Sequence, residues 1–397
     1  MTNLRHDPRA RRPRTAHRAV PVVMTGLLMA AVLGLTSAPA LASTATPTAS
    51  ATAARRAANP LQAMLDKIVA AGIPGAIMLE QRGHDADFTT AGVADLATGA
   101  PMRPGARFRV GSITKSFVAT VVLQLVQEGL LALDQPVARW LPGLLTDGAT
   151  ITVRELLNHT SGLFDYTHDP AFFAAVEANQ VFQPAQLVAI AESHPQVFPP
   201  GTAYGYSDTN YIVLGLLIQA VTHHSLGWEL GHRIFGPLGL RDTSFPAATA
   251  HIAGYHAHGY ISAPGGKPYD VTYINPSEAW ASGAIISTAS DVSRFYQALL
   301  GGRLLSPPML RQMKTGVDET PGDPTAQSGL GIERYEDPCG TTWGHGGQIA
   351  GYEDSAYWNQ RTHRVVVLAT NLWPGATPAA DTLINNTYNY ALCPPGG

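Results

Sequence analysis

Only two cysteines occur in 397 residues, Cys339 and Cys393, both near the C-terminus. That is too few for a cysteine zinc site, and no His-Glu-x-x-His motif or second ligand pair at zinc spacing joins them. The densest histidine groups, His223-His224 and His251, His256 and His258, read as solvated loop residues, so no metal and no organic cofactor is expected. Charge is sparse as well: Asp, Glu, Lys and Arg make up 14% of the chain, with a formal net charge of −3. A chain without basic excess lacks the electrostatic footprint of a nucleic-acid binder. No internal repeat is present. The most apolar stretch, 20–35, is short for a membrane span and carries Pro21 and Thr25.

That stretch belongs to a leader. Arg5, Arg9, Arg11, Arg12, Arg14 and Arg18 precede it, and Ala40-Leu41-Ala42 supplies small residues at a cleavage site. The pattern predicts a signal peptide over 1–42, hence a secreted, extracytoplasmic protein with no stable membrane anchor. Arg11-Arg12 raises the twin-arginine route, but Pro13-Arg14 follows where apolar residues are wanted, so general secretion is favoured. Removal of the leader takes away six arginines and one aspartate and leaves a net charge of about −8. Residues 43–58, rich in Ala, Thr and Ser, read as a flexible lead-in to one domain over 59–397. In an oxidising compartment a bridge between the two cysteines would close a long loop and stabilise the fold by about 4 kcal/mol. Two free thiols is the alternative.

Along the domain, 61–71 has the pattern of an amphipathic helix. Residues 76–80 and 88–93 read as strands joined by a turn around Arg82-Gly83-His84. A helical middle follows, with segments at 116–128, 153–158, 171–178, 184–193 and 210–222. Strand-like segments return at 331–335, 355–358 and 365–370, and a last helix is expected over 379–390. Strands at both ends with helices between them imply an α/β (α+β) fold. An antiparallel sheet is flanked by the N- and C-terminal helices and stands beside an all-helical lobe, with the site between the two.

Ser112-Ile-Thr-Lys115 is the segment richest in chemistry. Residues three apart on a helix share a face, so the lysine amine can reach the serine hydroxyl. Such a hydroxyl becomes a useful nucleophile only when a neighbour takes its proton. Ser112 would also stand at a helix N-terminus, where free N–H groups and the helix dipole favour developing negative charge. Tyr206-Ser207-Asp208 lies on a loop before the helix near Asn210. Its phenol could act as a second acid/base group if the adjacent ammonium pulled its pKa down. Gly205 to Thr209 resembles a nucleophile elbow but lacks the final glycine. Gly344-His345-Gly346-Gly347-Gln348 is a glycine-rich strand. There the backbone can approach a ligand closely, and an N–H could complete an oxyanion hole with that of Ser112. A competing Lys314-Thr315-Gly316 runs into Asp318-Glu319-Thr320-Pro321-Gly322-Asp323-Pro324, which reads as loop, so His345 is preferred over Lys314.

Taken in order, Ser112-x-x-Lys115, Tyr206-Ser207-Asp208 and His345-Gly346-Gly347 resemble the serine β-lactamase and penicillin-binding-protein-like superfamily. The likeness is greatest to secreted serine D-Ala-D-Ala carboxypeptidases and class C β-lactamase-like hydrolases. Phe108-Arg109-Val110-Gly111, Leu156-Leu157-Asn158-His159-Thr160-Ser161-Gly162-Leu163, Ser282-Gly283-Ala284 and Gly351-Tyr352 add to it. The resemblance implies a β-lactamase/transpeptidase-like fold over about 61–393, with Ser112, Lys115 and Tyr206 catalytic. It places Asp208, Trp280, His345, Gly346, Gly347 and Gln348 around substrate and oxyanion, with Trp280 lining the cleft. The Cys339 and Cys393 pair also resembles that of the secreted carboxypeptidases. Two departures stand out. Asp208 replaces the asparagine of Tyr-x-Asn, an acceptor in place of a donor, and would hold Lys115 charged. Gln348 stands where a hydroxyl residue usually serves the substrate carboxylate, and either Glu333 or Arg334 occupies the strand position from which that carboxylate could be recognised.

The expected activity is acyl-enzyme hydrolysis, foremost by a D-alanyl-D-alanine carboxypeptidase acting on peptidoglycan-type peptides and acylated by β-lactams. A carboxylesterase or β-lactamase on the same scaffold is the alternative. A non-hydrolysing penicillin-binding sensor, its turnover stopped by Asp208, is a reading of a different class.

Overall fold

The computed structural model describes residues 59–263 and 266–394; the signal peptide and lead-in expected over 1–42 and 43–58 lie outside the described residues. Helix α1 (Pro60–Ala70) starts because Asn59 accepts the Leu61 N–H through its side chain and Pro60 sits at the first turn. Its Leu61, Leu65 and Ile68 recur at helical spacing and turn inward. Strands β1 (Gly75–Arg82), β2 (Asp85–Asp95) and β3 (Ala100–Pro101) follow. The chain returns to the same sheet late, with β4 (Val317–Thr320), β5 (Asp323–Ser328), β6 (Glu333–Asp337), β7 (Gly340–Ile349), β8 (Tyr352–Asn359) and β9 (Arg364–Thr370).

The nine strands run β3-β2-β1-β9-β8-β7-β6-β5-β4, all antiparallel. The decisive pairing joins the chain's two ends: β1 lies against β9 from Ala76↔Thr370 to Arg82↔Arg364. Strand β9 is apolar at every interior position because both of its faces are covered. Val366 and Leu368 meet α1 and the C-terminal helix on one side, whereas Val365, Val367 and Ala369 join the main core on the other. That core is built on α2 (Ile113–Gln127), whose residues are buried on every side rather than along one stripe. The helical insertion supplies α3 (Val153–Leu157), α4 (Pro170–Glu177), α5 (Pro184–Glu192) and α6 (Thr209–Thr222). Helix α7 (Ala289–Leu300) covers the sheet, and α8 (Pro378–Leu392) closes the other face against α1. A disulfide joins Cys339, in the β6–β7 turn, to Cys393 at the end of α8, with their Cα atoms 5.4 Å apart. No helix among the described residues is long and apolar enough to cross a membrane.

One stretch departs from its sequence reading. Residues 318–324, expected as loop, lie in the β4–β5 hairpin, with Thr320 opposite Asp323 across Pro321-Gly322. Gly322 has φ +80°, as a Pro-Gly turn with glycine at its third position requires. These strands are polar because they form the sheet's outer edge, where no apolar face is needed.

Asp354 on β8 is 2% exposed, and neither carboxylate oxygen has a hydrogen-bond partner among the described residues. Burial, with the nearby Glu353 carboxylate adding to it, pushes its pKa well up. The folded protein therefore keeps a proton that the unfolded chain loses above about pH 4, and stability falls as pH rises through that window. Asp354→Asn removes this slope. Denaturation from about pH 4 to about pH 8 should show the variant's unfolding free energy gaining on the wild type's as pH rises, by up to about 1.4 kcal/mol per pH unit. A constant or shrinking difference would contradict the assignment.

Candidate active site

Two glycines bring the Ser112 loop and strand β7 together. Gly111 adopts φ +48°, and a Cβ there would come within 2.8 Å of the Gln348 backbone. A Cβ on Gly347 would stand 2.2 Å from the Val110 carbonyl oxygen. Without side chains at these positions, the residues leading into α2 press against the strand, and the backbones of Ser112 and Gln348 lie side by side.

Lys115 is one turn into α2 and fully buried. Its Nζ donates to Ser112 Oγ at 2.8 Å and to the Ser282 carbonyl at 3.1 Å, and it forms an ion pair with Asp208. The same ammonium lies over the rings of Tyr206 and Tyr211, 5.0 Å and 5.6 Å from their centroids. The two halves of the Ser-x-x-Lys motif therefore meet as their spacing predicts. Asp208, at the start of α6, is the lysine's counter-ion.

Tyr206 reaches the same point with a different charge state from the one expected. Loss of solvent around its hydroxyl pushes the phenol well above its ordinary pKa, and the Asp208 carboxylate adds to this. The hydrogen bond with Ser112 opposes the shift without reversing it. The expectation that the ammonium would pull this group down is thus corrected: Tyr206 rests as a neutral phenol.

His159 was quoted in a sequence word but given no role, and the structure supplies one. Its ring stacks on Tyr206, with centroids 4.3 Å apart and planes at 22°. Its Nδ1 accepts from the Ser207 N–H at 3.2 Å and the Asn210 amide at 3.1 Å. Burial, Lys115 and His345 hold its pKa well down, so the ring is neutral with its proton on Nε2. His159 is itself in the left-handed region at φ +60°, and Gly205 donates its N–H to the His159 carbonyl. The 156–163 segment is in this way a clamp on the tyrosine loop. A buried histidine beside Thr160 and Ser161 was the available signal.

His345 lies beneath the cleft, its ring centroid 6.4 Å from that of Tyr206. Nδ1 stands 2.5 Å from the Gly346 carbonyl, and burial lowers the pKa, opposed by Glu333. Of the two residues left open on β6, Glu333 faces the site. It accepts from the Gly346 N–H at 3.2 Å and from the Tyr357 hydroxyl. Arg334 turns away to the Pro324 carbonyl and Glu336. Lys314 packs over Trp343 and Trp358 and takes no part. Trp280 also departs from expectation: it is 5% exposed and its ring fills the space above Gly215 on α6. Its neighbours Glu278, Ala279, Ser282 and Gly283 line the cleft instead.

That cleft has a volume of about 1040 Å³ and opens onto Ser112, Asp208 and Gln348. Among the described residues no group of three or more His, Cys, Asp or Glu side chains is placed to hold a metal ion. The geometry offers a hydroxyl touching a buried ammonium at a helix N-terminus, next to a strand whose backbone can share an oxyanion. Gly347→Ala is expected to slow covalent labelling by fluorescent penicillin by about 100-fold, because the added methyl forces the Ser112 loop off the strand. Gly346→Ala meets nothing closer than 3.7 Å and should be hit about tenfold less hard. Equal effects of the two would exclude this account of the loop–strand contact.

Known proteins share this architecture. The model of the Beta-lactamase family matches residues 54–388. Penicillin-binding protein 4 of Amycolatopsis lactamdurans is 31% identical over 297 residues, covering 70% of this chain and 76% of that protein. The structure of a D-stereospecific amidohydrolase from a Streptomyces species superposes with a TM-score of 0.77 at 37% identity, covering 83% of this chain and 97% of the other. That of a D-amino acid amidase from Ochrobactrum anthropi SV3 gives 0.75 at 30% identity, covering 84% and 96%. Motif order, sheet topology and these likenesses agree, and the chain belongs to the Beta-lactamase family of serine hydrolases.

Proposed function

We propose that Ser112 is the nucleophile of an acyl-enzyme hydrolase acting on amide bonds of small peptide-like substrates. The observation that carries this reading is the 2.8 Å contact between Ser112 Oγ and the fully buried Lys115 Nζ. Ser112 attacks the carbonyl carbon while its proton passes to the lysine, which gives one of its own to Asp208. An acceptor-only carboxylate suits that task, and a buried ion pair shares protons readily because its charges are costly to keep apart. The neutral Tyr206 phenol, held in place by His159, then delivers a proton to the leaving group and is reprotonated by the proton parked on Asp208, returned through Lys115. The N–H groups of Ser112 and Gln348 hold the oxyanion, and water releases the acyl group.

D-Alanyl-D-alanine carboxypeptidase activity is the narrower form of this reading, drawn from the resemblance in the sequence; a carboxylesterase or β-lactamase would use the same nucleophile. Export is part of the proposal. It is supported by the basic and apolar leader and by the Cys339–Cys393 bridge, which suits an oxidising compartment.

Fluorescent penicillin should label the wild type covalently and leave Ser112→Ala unlabelled. Equal labelling of both, or none of the wild type, would end the assignment. Release of D-alanine from a D-Ala-D-Ala peptide, set against hydrolysis of a short-chain ester and a cephalosporin, separates the narrower readings. A label that never clears, with no substrate turned over, would mark a sensor in place of an enzyme.

A further inference from the structure

A second pocket, of about 390 Å³, opens where α8 lies over the sheet, and it shares no lining residue with the cleft before Ser112. Strand register sets its floor. Tyr335 pairs with Thr342, Gly344 with Tyr357 and Gly346 with Ser355, so Tyr335, Thr342, Tyr357 and Ser355 stand on one face. The wall is α8, where Asn385, Tyr388 and Asn389 lie three and four residues apart and share a helix face. Tyr357, buried, packs edge-on between two half-buried rings, its centroid 5.6 Å from that of Tyr335 and 5.7 Å from that of Tyr388. The volume lies in the range of small-ligand sites.

The chemistry of the lining selects the ligand. No lysine, arginine or histidine lines this pocket among the described residues. Its two carboxylates are engaged: Glu336 by Arg334 and the Thr341 hydroxyl, Asp337 by the Thr342 hydroxyl at 2.6 Å. An anion would meet like charge with no positive partner, and a cation would compete for carboxylates already held. Neutral polar groups are what remain open. The side chains of Asn385, Asn389 and Ser355 make no hydrogen bond with any described residue. The Tyr388 hydroxyl is unpartnered as well, so no hydrogen bond fixes its ring in place. A carboxamide both donates and accepts, as a sugar hydroxyl does, and tyrosine rings present flat apolar surfaces to the C–H faces of a pyranose.

We propose that this pocket binds an uncharged pyranose saccharide, seated between the Tyr335 and Tyr388 rings above Tyr357 and hydrogen-bonded by Asn385 and Asn389, and that its occupancy is felt at β7. The connection is a short chain of contacts. The Tyr357 hydroxyl donates to Glu333, whose carboxylate accepts the Gly346 N–H at 3.2 Å and stands 3.6 Å from His345 Nδ1. Gly346 is two residues from Gln348, whose backbone lies beside the Ser112 turn. A saccharide that steadies the Tyr357 ring therefore steadies the acceptor on this strand, and by linkage the state of the strand alters saccharide affinity by the same factor. Ser112 takes no part in the binding, so the site stands or falls separately from the acyl-enzyme reading.

Calorimetric titration of the whole protein with cellobiose, maltose and N,N′-diacetylchitobiose tests the site. At least one should bind once per chain with Kd below about 10 mM, and Ser112→Ala should bind it equally well. The charged counterparts, cellobiouronate and deacetylated chitobiose, should bind at least about tenfold more weakly. Asn385→Ala combined with Asn389→Ala, both exposed on α8, should weaken binding about tenfold. The link to β7 is read by NMR without any reaction: the Gly346 amide and His345 ring signals should move when the wild type is saturated. In Tyr357→Phe, which keeps the ring and loses the hydroxyl, the saccharide should still bind and those shifts should be lost. Binding of none of the three saccharides, preference for a charged counterpart, or an unchanged Kd in the double variant would overturn the site. Signals that stay in place in the saturated wild type, or that move equally in Tyr357→Phe, would overturn the link. If Tyr357→Phe does not fold, the wild-type shifts decide the link alone.

Discussion

The Lys115 ammonium sits in the fold without solvent contact, and much else is arranged around it. A charge in that position is expensive to desolvate, and removing one partner of such a pair costs about 3–5 kcal/mol. Its three partners come from separate parts of the chain: the Ser112 turn, the Ser282 carbonyl and Asp208 at the head of α6. The helix start, the short Trp280–Gly283 helix and the tyrosine loop must converge on one point to satisfy it. Ser112, the proposed nucleophile, is positioned by the same requirement. Burial raises the pKa of Tyr206, Tyr166, Asp165 and Glu278, and Asp208, the ion's counter-charge, adds to the shift of each.

Close backbone contact is the second ingredient. The α2 helix dipole and the β7 edge are useful together only if they touch, and they touch because Gly111 and Gly347 leave no side chain between them. His159 does comparable work for Tyr206 by stacking on one face and binding the loop that carries it. Gly111, Gly347 and His159 do not line the cleft themselves.

Much of this was legible in the residues. Ser112 and Lys115 were readable as a pair because residues three apart on a helix share a face, whereas Tyr206 and Asp208 were placed beside them by the resemblance. The sheet built from both chain ends followed from strand patterns at 76–80 and 365–370. Other features needed the third dimension. Neighbouring residues on a strand face opposite ways, so the choice between Glu333 and Arg334 required the register, here Glu333↔Gly344 and Arg334↔Trp343. The β4–β5 hairpin was hidden because an edge strand carries no apolar alternation. Trp280 could be assigned to core or cleft only once Gly215 was seen beneath its ring. The phenol's charge state depended on burial, with Asp208 adding to it, outweighing the hydroxyl beside it, a balance that order along the chain does not encode.

The β1–β9 pairing also has a temporal meaning. Strand β1 emerges early in synthesis but cannot be completed until β9 exists, and the Ser112 turn waits on Gln348 in the same way. The helical insertion, rich in local contacts, can organise first, whereas the sheet and the oxyanion pair depend on distant segments finding one another. The proposed catalytic centre therefore needs segments from both ends of the domain. A chain that ends before β7 carries Ser112 and Lys115 but lacks the Gln348 strand against which their turn packs.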